Sequence, residues 1–199
     1  LEETLRREGE DVAGFIVEPI QGEGGVIVPP EGYLSGARDL CLRYGVVFIL
    51  DEIQTGLGRT GSVFACEREG VEPDVLLLSK ALGGGLVPLG VCLSTPAVWN
   101  EDYGRLHSST FSNNNFTCAI GLAVLDRLLA GDREIVRRVR EKGEYLLQKA
   151  REIKRRWPGV VKEVRGEGLM VGIEFEEFSP ADSWDMIFLS RRGGYCALL

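Results

Sequence analysis

Three short, nearly unbroken apolar runs constrain this chain more than any other feature. Val12 to Val17 leads into Glu18, Val46-Val47-Phe48-Ile49-Leu50 ends in Asp51, and Val75-Leu76-Leu77-Leu78 ends in Ser79-Lys80. Runs of this length, rich in Val, Ile and Phe, are too short for buried helices and read as buried strands. Between the first two lies Tyr33 to Tyr44, where Leu34, Ala37, Leu40 and Cys41 recur at helical spacing and Gly45 follows as a stop. Strand, helix, strand with apolar strands predicts an α/β fold with a mainly parallel sheet covered on both faces. Functional groups in such sheets gather at the carboxyl ends of the strands. Glu18, Asp51 and Lys80 all stand there.

The remainder supports the same architecture. Residues 1–10 read as the end of a helix, Gly22 to Gly32 as a loop, and Val87 to Leu93 as a further strand. A mostly apolar helix is expected over Phe116 to Leu129, broken at Gly131-Asp132. A long amphipathic helix then runs from Arg133 to about Trp157, where Pro158-Gly159 stops it. Val160 to Val164 and Leu169 to Phe175 read as strands around a Gly166-Glu167-Gly168 turn, and Trp184 to Leu199 as the start of another helix. The expected division is 1–130, part of a large domain, and 131–199, a connecting helix with an incomplete α+β C-terminal domain. No Met opens the chain and an apolar run, Cys196-Ala197-Leu198-Leu199, closes it, so it reads as a piece of a longer protein.

Charge and composition narrow the function. A formal net charge of -7 argues against nucleic acid or an anionic membrane surface as partner. No apolar run approaches the ~20 residues that span a bilayer, and the charged opening Leu1 to Arg7 does not read as a signal peptide. Five cysteines are scattered without a CxxC, and His107 is the single histidine. No metal site is therefore expected, and the thiols read as buried and free in a reducing, cytoplasmic setting.

Two familiar motifs fail on context. Val46 to Glu52 resembles the acidic strand end of a nucleotide hydrolase, but no Gly-Lys-Ser/Thr loop accompanies it. Gly56-Leu57-Gly58-Arg59-Thr60-Gly61 spells a dinucleotide fingerprint, yet it starts five residues beyond Asp51 and no apolar helix follows. Its glycines are expected to serve tight backbone geometry, and Glu52 to bond the turn that follows. A third chemistry suits the strand ends together. Pyridoxal phosphate needs a lysine for its aldehyde, a carboxylate beside its ring nitrogen, a phosphate cradle and a restraint on its phenolic oxygen. Asp51 and Lys80 are of the right types.

Three blocks then carry a family resemblance. Val17-Glu18-Pro19-Ile20-Gln21-Gly22-Glu23-Gly24-Gly25, Asp51 to Gly61, and Ser79-Lys80-Ala81-Leu82-Gly83-Gly84-Gly85 resemble class III aminotransferases, in the family's order and spacing over residues 12 to 175. The resemblance implies a type I pyridoxal-phosphate-dependent fold and a homodimer with shared active sites. It implies Lys80 as the Schiff-base lysine and proton shuttle, Asp51 as partner of the ring nitrogen, Gln54 on the phenolic oxygen and Ile53 on the ring face. Thr110, with Ser109, would reach the phosphate of the neighbouring subunit's cofactor. Glu23 resembles the glutamate that lets one site accept both ω-amines and glutamate, and Glu18 would lie near Gln54. Around Thr110 the family's glycines are replaced by Ser108, Ser112 and Asn113. Lys80 is expected to be desolvated so that its amine can lose its proton. The implied reaction is ping-pong amino transfer between an amine or amino acid and an oxo acid or aldehyde. An aminomutase, a decarboxylating relative and a catalytically silent chain are the alternatives. The phosphate loop upstream and the carboxylate-binding arginine downstream fall outside these residues, so the isolated 199 residues are expected to be inactive.

Overall fold

The apolar runs all form strands. A computed structural model describes residues 1–106 and 109–176, together with the backbone of 195–198. Helix α1 (Glu2–Glu8) leads to strand β1 (Gly14–Val17), helix α2 (Tyr33–Tyr44), and strands β2 (Val47–Asp51), β3 (Val75–Leu78) and β4 (Val91–Ser94). Then follow α3 (Glu101–Leu106), α4 (Asn115–Arg156), β5 (Val161–Glu167), β6 (Met170–Phe175) and β7 (Tyr195–Leu198). Strands β1-β2-β3-β4 form one sheet in that order, parallel except for the antiparallel β3–β4 pair. Its parallel portion brings the ends of β1, β2 and β3, with Glu18, Asp51 and Lys80 just beyond or at them, to one edge.

Helix α2 forms where the helical spacing predicts it. Leu34, Ala37 and Cys41 are buried against Phe48 and Leu50 of β2, with Phe15 and Val17 of β1 packed alongside. Each such apolar side chain contributes about 1.5–3 kcal/mol on burial. Gly45 ends the helix at φ 69°, its N–H reaching the carbonyls of Cys41 and Leu42. The opposite sheet face departs from expectation: Ile16 is 57% and Leu93 48% exposed, so cover on both faces does not hold among the described residues. Alternation along β1 and β2 places Phe15, Val17, Phe48 and Leu50 towards α2 and leaves Ile16 on the other side.

A salt bridge locks this layer. Arg38 of α2 grips Asp74 through both guanidinium nitrogens, at 2.6 and 2.9 Å, while Asp74 Oδ2 also accepts the Phe48 backbone N–H at 2.8 Å. The Arg38 hydrogen bonds, followed by the Phe48 N–H, hold the Asp74 carboxyl below its ordinary value.

Asn114 caps α4, its Oδ1 accepting the N–H groups of Phe116 and Thr117. The helix loses helical geometry from Ala130 to Arg133, where the Gly131-Asp132 break was expected. Its second half lies on the β5–β6 hairpin so closely that a Cβ on Gly143 would fall 2.2 Å from the Gly168 carbonyl oxygen. Strand β5 runs on through Glu167, paired with Met170, so the turn is at Gly168-Leu169 and not at Gly166 to Gly168. Residues 195–198 are a strand antiparallel to β6, where a helix was expected; the N–H and C=O groups along that edge are satisfied by pairing. Residues 184–194 of that expectation lie outside the described residues, as do His107 and Ser108.

The thiols also differ from expectation. Cys41 and Cys66 are buried, but Cys92 and Cys118 are exposed. Burial first, and the nearby Glu52 carboxylate second, push the Cys66 thiol up to about 12.

Two outcomes follow for the full protein. Asp74→Asn should lower unfolding stability at pH 7 by roughly 2–3 kcal/mol, because Arg38 loses a charged partner. A carboxyl held low stabilises the fold above its unfolded value and loses that contribution as pH falls through the folded one. Denaturant titrations should therefore show the wild-type advantage shrinking below the usual carboxylate range. A thiol-reactive chromophore should label Cys66 only on denaturation.

Candidate active site

The end of β2 turns sharply, and that turn delivers the site. Asp51, half-buried, is the last residue of the strand, and its Oδ1 accepts the Ile53 N–H at 3.0 Å. Its other carboxylate oxygen makes no hydrogen bond among the described residues. Glu52, the next residue, is 1% exposed and accepts the Thr55 hydroxyl and the N–H groups of Ala65 and Cys66 at 2.7–2.9 Å. Expected to bond the following turn, Glu52 does so. Strand alternation separates the two acids: one faces the edge and the other is consumed inside the turn.

On β3, one strand over, Asp51 lies in register with Leu77, and Lys80 follows three residues later. Lys80 opens a short 3-10 turn (Lys80–Gly83) with φ 46°, a left-handed backbone that is strained in a residue other than glycine. Ser79 anchors the turn by donating its hydroxyl to the Leu89 carbonyl at 2.9 Å. Lys80 is solvent-exposed, so the desolvation expected of it is not supplied by the described residues.

Lys80, Gln54 and Ile53 line one cavity of about 160 Å³, together with Arg59, Leu169 and Met170. Asp51 is at the same sheet edge but not on the cavity wall. Among the described residues Gln54 Oε1 is buried without a hydrogen-bond partner, a costly arrangement unless a ligand supplies one. The amide lies over Gly22, where an added Cβ would stand 2.6 Å from Gln54 Oε1, so a larger residue there would displace the amide. Glu18 fixes that glycine, its Oε2 accepting the Gly22 N–H at 2.9 Å. Glu18 is thus brought to Gln54 through Gly22.

Glu23 is exposed beyond Gly22 and does not line the cavity. Ser109 and Thr110 are exposed and do not line the Lys80 cavity. Ser109 lines a second cavity of about 590 Å³ with Leu89, Phe111, Asn113 and Thr117, and its hydroxyl accepts the Phe111 N–H at 3.3 Å. Asn113, one of the departures from the family's glycines, keeps a left-handed φ of 56°, which asparagine tolerates better than most residues. Sequence reading missed Arg59 as a cavity residue. Its place among the glycines of the Asp51 block was the available signal.

Pyridoxal phosphate fits the polar groups at this edge. Among the described residues Gln54 has an unpaired buried amide oxygen, Asp51 a carboxylate oxygen without a hydrogen-bond partner, and Lys80 an accessible amine.

Comparison with known structures agrees. The chain superposes on acetylornithine aminotransferase from Elizabethkingia anophelis with a TM-score of 0.82 and 34% identity, covering 99% of this chain and 51% of that one. An (S)-enantioselective ω-transaminase from Thermomicrobium roseum gives 0.82 and 38%, over 90% and 42%. The ornithine aminotransferase of Toxoplasma gondii, a structure with partial occupancy of PLP at its active site, gives 0.77 and 39%, over 88% and 41%. The chain thus spans about half the length of these relatives. The fold is that of the type I pyridoxal-phosphate-dependent aminotransferases. With the class-III aminotransferase family model matching residues 1–195, the chain belongs to the class III aminotransferases.

Proposed function

We propose that the full protein carrying this chain transfers amino groups between an amine or amino acid and an oxo acid or aldehyde, with glutamate and 2-oxoglutarate as the favoured pair. Membership of the family supports the reaction class, and the cavity shared by Lys80 and the unpaired Gln54 amide is the observation that carries the reading. Bound pyridoxal phosphate supplies an electron sink for the electrons left behind when a substrate's α-proton departs. Lys80 Nζ would hold the cofactor covalently until the substrate amine displaces it, and the freed amine would then move the proton at the α-carbon. Asp51 keeps the ring nitrogen protonated by opposite charge. Gln54 would bond the phenolic oxygen through its side-chain amide, and Ile53 would pack on the ring. Ser109 and Thr110 of one subunit serve the phosphate site of the other in a homodimer. Glu23 sorts substrates by charge, and Glu18 steadies the turn beneath Gln54. In the same reading 1–130 belong to the cofactor-binding domain and 131–199 to a connecting helix and C-terminal domain, and the protein acts in the cytoplasm.

Lys80→Ala in the full protein should abolish both turnover and the visible cofactor absorbance. Borohydride should trap cofactor on Lys80 of the wild type, and a variant retaining both signals would refute the assignment. Gln54→Leu should weaken cofactor binding at least tenfold, read by equilibrium titration. The melting temperature of the cofactor-free Gln54→Leu protein should stay level or rise, because an unsatisfied buried oxygen is removed. A fall would mark Gln54 as structural.

A further inference from the structure

We infer that Arg165, on the second sheet, is a positioning residue for the active site, holding in place the hairpin that carries Glu23. The inference deepens the amino-transfer reading and rests on it for the role of Glu23.

The hairpin runs from Gln21 to Ile27, whose backbones exchange hydrogen bonds at 3.1 and 3.0 Å. Its two arms are held from different directions. Glu18 grips the near arm through the Gly22 N–H, with the Gln54 amide stacked above. The far arm has an unfavourable backbone: Gly25 takes φ 109° and Val26 φ 55°, a strained value for a β-branched residue. Such a conformation persists only where its surroundings over-determine it. Those surroundings come from the second sheet.

Three residues of β5 and β6 meet the far arm. Arg165 Nε donates to the Gly25 carbonyl at 2.9 Å. Met170 packs with the fully buried Val26 and Ile20. Gly172 lies directly against the arm; a Cβ there would stand 3.1 Å from both Gly25 O and Val26 Cβ. Arg165 is itself fixed, its side chain 13% exposed and its Nη1 shared between Glu163, at 2.6 Å, and Glu174, which also takes Lys162. Only a guanidinium can send Nε to the hairpin while a second nitrogen stays on the carboxylates; a lysine has one nitrogen for both tasks. Glu23 stands between the two clamped arms. In the amino-transfer reading its carboxylate, which lies outside the wall of the Lys80 cavity, would disfavour an approaching substrate carboxylate and favour a cationic amine, so its placement would set which substrates are accepted.

The test uses Arg165→Lys and Gly172→Ala in the full protein; the second presses on the same backbone without changing any charge. Hydrogen exchange on the cofactor-free protein reads the clamp directly. The Gly25 and Val26 amides, both donating to the Gly22 carbonyl, should exchange at least tenfold faster in Arg165→Lys while the β2 amides are unchanged. In the loaded enzyme, the ratio of kcat/KM for an aliphatic ω-amine to that for L-glutamate should fall at least fivefold in both variants. The change should lie in KM, with the visible cofactor band at its wild-type wavelength. Unchanged exchange in the hairpin, or a ratio within twofold of wild type in both variants, would overturn the inference, whatever happens to melting temperature. If Arg165→Lys fails to fold, Gly172→Ala decides. A wild type without a visible cofactor band would instead defeat the amino-transfer reading, and hydrogen exchange would still judge the clamp.

Discussion

A buried carboxylate that makes no salt bridge among the described residues organises the centre of this molecule. Glu52 is 1% exposed, and its charge is met by three donors: the Thr55 hydroxyl and the backbone N–H groups of Ala65 and Cys66. A desolvated charge is tolerable only when such donors satisfy it, and each charge-assisted bond is stronger than a neutral one. The consequence is geometric. Residues 52–66 are drawn back onto the end of β2, reinforced by Gly56 N–H to the Glu52 carbonyl at 2.9 Å. Ile53, Gln54 and Arg59 all belong to this closed loop and line the Lys80 cavity from it. Asp51, immediately before it, keeps its carboxylate at the sheet edge because its neighbour's is committed inside.

The second sheet completes what the first begins. The Leu169 N–H bonds to the Arg59 carbonyl at 3.0 Å, joining the β5–β6 turn to the loop that Glu52 closes. Met170, fully buried, lines the Lys80 cavity and also belongs to the cluster that supports Val26. One methionine therefore backs both the cofactor residues and the Glu23 hairpin. Thioether side chains adapt to such irregular junctions. The cavity is thus a product of both sheets, although its chemically active groups come from the first.

Legibility in the sequence followed the range of the forces involved. Helix α2 and strand β3 lie where their periodicities predict them, since a helix's apolar face and a strand's apolar run are written in adjacent residues. Glu18, Asp51 and Lys80 were readable as one edge because parallel strands put their carboxyl ends together. Glu52 was readable as a structural acid beside Asp51. The antiparallel direction of β4 was not, because Val91 to Ser94 has the same apolar character in either direction. Nor was the exposure of Cys92 and Cys118, which depends on what packs above them. Arg165 lies 140 residues from Gly25 and meets a carbonyl, a partner that has no side-chain identity for a sequence to display.

Lys80 and Val26, like Leu57 on the cavity wall, are residues other than glycine with left-handed backbones near the proposed chemistry. A relaxed chain would avoid both, at about 1–2 kcal/mol each. Lys80 keeps its conformation because Ser79 is tied to the Leu89 carbonyl and the 3-10 turn closes behind it, with the Leu82 N–H on the Ser79 carbonyl at 3.0 Å. Val26 keeps its own because Ile20, Met170 and the Arg165-bound carbonyl leave it no alternative. The strain is held by different parts of the molecule, the first sheet in one case and the second in the other. A site assembled this way depends on the contact between the sheets as much as on its named residues: loosening the second sheet would relax Val26 and move Glu23 while Lys80 and Asp51 stayed where the first sheet puts them.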